Sequence, residues 1–290
     1  MLIADWSAAS TRGPVRPTRD RCWVAWGRPG GRAAEQRPPP RYFRTRPDAL
    51  AFIRDQLVAA PGPALVGFDF AFGYPAGSGL PAGRALCARL AELIVDEADG
   101  GNNRFVVAGV LNRQIQAACG GHFRGPFWGH PPGRRFPHLS PTRPRPFPVR
   151  FFGDGRLVER RLAARRIQSP WKLFTRAAVG SQTLMGLPAV HRLLTDPALA
   201  HRARLWPFET EWKRAIADDA VVIAEFWPSL VDRRGQPYPI KDACQVAASR
   251  DWALDHPQAL ARSLARPADL TDEEERTCRE TEGWIAGPNV

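Results

Sequence analysis

No stretch of this 290-residue chain runs for the ~18 unbroken apolar residues that a membrane-spanning helix needs. A secretory signal, with a basic start and an apolar core, is also missing, because Asp5 interrupts the only N-terminal apolar run. Cysteine is scarce and scattered: Cys22, Cys87, Cys119, Cys244 and Cys278 include no CxxC pair, which argues against a disulfide framework or a cysteine-based zinc site. Together these absences lead to the expectation of a cytoplasmic protein. No GxxxxGK[ST] loop and no GxGxxG after a strand is present, which disfavours those two modes of nucleotide binding. Ser181 in GSQT stands in no GxSxG elbow and has no histidine placed to serve it, so acyl transfer is not expected.

Lysine is nearly absent as well. Of the 41 basic residues only Lys172, Lys213 and Lys241 are lysines, and the net charge is +12. A basic surface attracts phosphate backbones regardless of sequence. Arginine, proline and glycine are all abundant, however, which also fits GC-rich coding, so the charge lends only weak support to a nucleic-acid partner.

What is present is a repeated pattern of an acid directly behind an apolar run. Asp5 follows LIA in MLIADWSAAS, Asp69 ends the run in ALVGFDF, and Glu225 does so in VVIAEF. An ionised carboxylate taken out of water is unfavourable by several kcal/mol unless a partner or cation holds it. In an open α/β sheet, sites form beyond the carboxyl ends of the strands. If the three runs are parallel neighbours, their acids converge and repel one another unless a cation intervenes. Two Mg²⁺ or Mn²⁺ ions about 4 Å apart would resolve that repulsion and suit phosphodiester chemistry. The structural alternative is that these acids cap helices or pair with arginines. Asp242, in the helix opened by Pro239, is a fourth candidate whose plain role is to complement a helix dipole; Glu209 in WPFET is a weaker fifth.

Along the chain, LIADWS, CWVAWGR and YFRTR read as strands, PDALAFIRDQLVAA as a helix and ALVGFDF as a strand buried on both faces. RALCARLAELIVDEAD and NNRFVVAGVLNRQIQ follow as helices. Between about 120 and 170 periodicity gives way to proline, arginine and aromatics. The aromatics argue for an ordered insertion over the main domain, a lid or subdomain within about 100–180, rather than a linker. RAAVGSQTLMGLPAVHRLL, the strand AVVIAEF, the helix from Pro239 and an acidic helix from Thr271 complete a single domain. Cys119, His122, His130 and His138 share one loop, but their spacing matches no short zinc hairpin.

The stretches IADWSAAS, GFDFAFGYP, NNRF, GPFWG, GSQTLMGLP, WPFET, AEFWPSL, KDACQV and EGWIAGP, spread from Ile3 to Pro288, resemble an uncharacterised bacterial family of predicted ribonuclease H-like nucleases, some of whose members carry cobalamin or molybdopterin biosynthesis labels. The resemblance implies an α/β fold with a ribonuclease H-like mixed sheet of five main strands, the second antiparallel, with helices on both faces. It also implies metal-binding acids at Asp5, Asp69 and Asp242. The chain departs from ribonuclease H proper in lacking a first-helix glutamate, since Asp55 lies past the helix middle, and Glu225 is the expected supplement. Its first strand starts almost at Met1, which raises the question of an earlier start.

The reading that follows is a Mg²⁺- or Mn²⁺-dependent nuclease. Asp5 bridges two ions, Asp69 and Asp242 each hold one, and Glu225 ligates or orients the water. Arg104, Arg134, Arg135, Lys241 and Ser7 meet the substrate, and Trp128 or Phe127 stacks on bases. Phosphoryl transfer to a small molecule on the same fold, or binding without catalysis, are the alternatives.

Overall fold

The computed structural model describes residues 1–30, 35–60, 62–121, 123–148, 150–165, 167–175, 178–212 and 218–288. Three strands open it: β1 (Leu2–Asp5), β2 (Cys22–Trp26) and β3 (Arg41–Phe43). Helix α1 (Arg46–Val58) begins where Thr45 caps the backbone N–H of Asp48 and Pro47 sets the first turn. Then come β4 (Ala64–Phe68), α2 (Gly83–Leu93) and α3 (Arg104–Cys119), which ends on Gly120 in the left-handed conformation, φ 61°. Short α4 (Leu157–Arg161), α5 (Val179–Thr195), β5 (Ala203–Leu205), β6 (Val221–Phe226), α6 (Lys241–Asp255), α7 (Pro257–Ser263), α8 (Asp272–Thr277) and β7 (Ile285–Ala286) complete the order.

The strands form one mixed sheet in the order β3-β2-β1-β4-β6-β5, with β7 also on β6. Strand β2 runs antiparallel to β1 and β3, and the remaining pairs are parallel. The sheet has seven strands rather than the expected five. The two additions share one flank of β6, β5 along Val221–Ile223 and β7 along Glu225–Phe226. They are three and two residues long, too short to show a period in sequence.

Period-two alternation along the central strands divides the apolar residues into two cores. Leu2, Ala4, Val24, Val66, Phe68, Val221 and Ile223 pack with α1, α2, α3 and α5, whereas Ile3, Trp23, Ala25, Ala224 and Phe226 pack with Ala243 and Val246 of α6. Helices therefore cover both faces. Gly67 lies between them because a Cβ there would stand 2.7 Å from both Ile3 and Phe226.

The insertion is packed into the first core. Phe127, Leu139, Phe147, Phe152, Trp171 and Leu173 are buried in it, and Trp171 stacks on Tyr74 with ring centroids 4.7 Å apart. All five cysteines are free thiols. No helix among the described residues is long and apolar enough to cross a membrane.

Candidate active site at the carboxyl edge of the sheet

Strand β1 delivers Asp5 to the carboxyl edge of the sheet. Alternation puts its side chain on the face of Ile3, toward α6. Asp242 comes from the first turn of α6. The positions one helical stripe further on, Val246, Ser249 and Ala253, are all buried as their spacing predicts. Asp69 is the first residue beyond β4 and is held from two sides. Its Oδ1 accepts from the Trp6 backbone N–H at 2.7 Å and its Oδ2 from Gln182 Nε2 at 2.9 Å. Asp5 and Asp69 are half-buried, and Asp242 is 8 % exposed.

These three aspartates form one electrostatic unit. Burial, then the negative charges of Asp69 and Asp242, raise the Asp5 carboxyl far above its usual range; Asp69 is pushed up to about 7, first by burial. The interaction between the two raises Asp5 and lowers Asp69, which favours one shared proton over two charges. Asp242 is raised too, mainly by burial, although the Asp20 N–H donated to its Oδ2 at 2.7 Å favours the charged form.

The contrast with other acids is informative in so arginine-rich a chain. Asp96 takes Arg46, Asp196 takes Arg54, Glu209 takes Arg84, and Asp251 and Asp255 share Arg37. None of Asp5, Asp69 and Asp242 is in an ion pair among the described residues. Arginine pairing thus accounts for Glu209 but not for this trio.

Glu225 belongs with the paired acids. Alternation turns it away from the face of Ala224 and Phe226, and its oxygens accept from Arg156 Nη1 and Nη2 at 2.8 and 2.7 Å and from the Phe72 N–H at 3.1 Å. It is fully buried, as is Arg156, which also pairs with Glu159. The structure does not bring Glu225 to the aspartates.

The expected substrate residues fall into different surroundings. Ser7 is buried and fastens the β1–β2 loop, its Oγ donating to the Asp20 carbonyl at 3.0 Å. Lys241 is exposed beside Asp242. Arg134, Arg135 and Arg145 are exposed, whereas Arg143 pairs with Asp154 at 2.9 Å and lies over the Phe147 ring. Trp128 is half-buried, with Lys172 Nζ 6.0 Å from its ring centre; Phe127 is wholly buried and cannot stack on a base. Arg104 is 8 % exposed and donates to Ser10, Asn102 and Ser181. Gln182, Asp20 and Arg156 carried no signal in the sequence, because each acts on a carboxylate distant in the chain.

Among the described residues no three Asp, Glu, His or Cys side chains stand as a ready-made cage for a metal ion; His122 lies outside them. The aspartate trio offers hard oxygen donors of the right kind for Mg²⁺ or Mn²⁺. A cation would have to draw the three carboxylates together. No protein-family model, curated protein or solved structure matches the chain.

Proposed function

We propose that the chain is a divalent-cation-dependent phosphodiesterase acting on nucleic acid, with Asp5, Asp69 and Asp242 as its cation-binding acids. The observation that carries this reading is the trio itself: three carboxylates gathered at one edge of the sheet, none paired with an arginine among the described residues, whereas Asp96, Glu209 and Glu225 each take one. The order β3-β2-β1-β4-β6, with β2 alone antiparallel to its neighbours, supports a ribonuclease H-like architecture for that edge. Bound Mg²⁺ or Mn²⁺ would supply charge neutralisation and Lewis acidity toward a phosphodiester. The protein's own contribution is positional. Trp6 and Gln182 orient Asp69, Asp20 N–H orients Asp242, and the exposed arginines of the insertion draw a phosphate backbone toward the edge.

Thermal melts test the cation site. A ligand that binds only the native state adds about 2.7 kcal/mol of stability at a hundredfold excess over its Kd. Mn²⁺ is therefore expected to raise the melting temperature of the wild type and not that of Asp5→Asn. The pH dependence has a defined sign. Folding raises the Asp69 carboxyl from 3.8 to about 7, so the native state binds the extra proton. In chelator this group's favourable contribution is present below about pH 4 and is lost as pH rises toward 7. The Mn²⁺ shift should accordingly be larger at pH 8 than at pH 5. Equal shifts in wild type and Asp5→Asn would refute the site.

The insertion makes a separate prediction. Replacing Arg134, Arg135 and Arg145 by serine is expected to flatten the slope of log K against log salt for duplex DNA by about 0.9 for each phosphate that is no longer neutralised. An unchanged slope would remove this surface from the interface.

A further inference from the structure

Among the described residues Arg104 is a cation without a counter-charge. It is 8 % exposed, and its three hydrogen bonds go to neutral acceptors: Nε to Ser181 Oγ at 3.0 Å, and Nη1 to Ser10 Oγ at 2.7 Å and Asn102 Oδ1 at 2.5 Å. Its Nη2 makes no hydrogen bond among the described residues and is not among the wholly buried polar atoms that lack one. Burial and the nearby Arg46 guanidinium lower its pKa to about 10. Arg46 itself is paired with Asp96. A buried charge without a counter-charge is unfavourable; the guanidinium lies 4.3 Å over the Phe105 ring, and its Nη2 edge is left for an anion.

The backbone points the same way. Arg104 is the first residue of the 16-residue helix α3, and Ser181 is the third residue of the 17-residue helix α5. Their contact brings two positive helix ends together. Among the described residues neither end has a side-chain cap, although backbone carbonyls take the Gly180 and Ser181 N–H groups of α5. Asn103 turns instead to the Val95 N–H and the Leu93 carbonyl, and Ala178 has no polar side chain to offer. The positive ends of helices favour anions, phosphate above all.

The position relates this spot to the aspartates. Gln182, next to Ser181, holds Asp69, and Ser10 lies on the loop that leaves Asp5. We propose that Arg104 anchors a phosphate-binding site at the junction of the α3 and α5 N-termini, where it seats a phosphate of the ligand beside the aspartate trio through its free Nη2 edge. The identity of that ligand rests on the function proposed above, but the phosphate site itself is tested without metal or turnover. Its phosphate could be a terminal monoester or a backbone diester, both of which a guanidinium edge can bind.

Calorimetric titration in chelator, at matched ionic strength in chloride, separates these cases. The probes are inorganic phosphate, a 5′-mononucleotide and an oligonucleotide with hydroxyl ends. Saturable binding of at least one probe is expected in the wild type, with affinity falling at least tenfold in Arg104→Gln. Arg104→Lys, which keeps the charge and loses the planar fork, should fall between them and covers the case in which the glutamine variant does not fold. Binding of the first two probes alone marks a monoester site, and binding of the oligonucleotide marks a backbone site. Unchanged affinity in both Arg104 variants, or no saturable binding of any probe, would overturn the proposal. Loss of the Mn²⁺ response with Arg104-dependent phosphate binding intact would instead count against the cation site alone.

Discussion

Arg156→Met is expected to destabilise the protein by about 3–5 kcal/mol, the range for removing one partner of a buried ion pair. Arg156 is fully buried and holds two carboxylates, Glu225 on β6 and Glu159 on α4, and its Nη1 also donates to the Glu282 carbonyl at 2.9 Å. Those two glutamates maintain its charge against burial. Removing the guanidinium leaves both acids without it, so urea unfolding should show a large fall in midpoint near neutral pH. The deficit should shrink as pH falls and Glu225 takes up a proton, because burial already pushes its carboxyl upward. Replacing Arg156, Glu159 and Glu225 together by apolar residues should recover most of the loss, since a whole buried charge network exchanged for packed apolar groups is often neutral or better. A change below about 1 kcal/mol in Arg156→Met, the scale of an exposed pair, would show that the network does not hold the insertion to the sheet.

This network also shows where a sequence stops being legible. The acid after VVIA looks the same as the acid after LIA, and both strands end at the same edge of one sheet. What separates them is alternation read from the correct residue: Asp5 follows Ile3 onto the α6 face, whereas Glu225 lies between Ala224 and Phe226 and takes the opposite side. That side carries Arg156, from a proline- and arginine-rich stretch whose pairing partner no local period reveals. The helices that the sequence shows clearly are those with a broad apolar face, such as α5, and the Asp242 stripe on α6 follows from spacing alone. Strands β5 and β7 were hidden by their length, and α4 by its charge. The first-core aromatics of the insertion were legible as order but not as orientation, which is why Phe127 reads as a stacking platform and proves to be core.

The sharpest expected effect lies at Asp242, where a cation ligand and a helix-dipole partner predict opposite results. An asparagine there keeps the shape and an oxygen to accept the Asp20 N–H, now bonded at 2.7 Å, so the fold should survive. If Asp242 serves only the dipole of α6, losing its charge removes about 0.3–1 kcal/mol of stability and leaves any hydrolysis untouched. If it is one of three carboxylates awaiting a cation, the metal-free protein should become more stable. The charge removed is one that burial disfavours and that also raises Asp5. Metal-dependent cleavage of a nucleic-acid substrate should meanwhile fall by orders of magnitude, because the charge that holds the cation is gone. The metal-free gain should appear above pH 7, where Asp69 is ionised, and fade below it as Asp69 takes up its proton. Melting and hydrolysis measured on Asp242→Asn at pH 8 decide the matter: a lowered melting point with full activity would remove Asp242 from the site, and a raised one with lost activity would place it there.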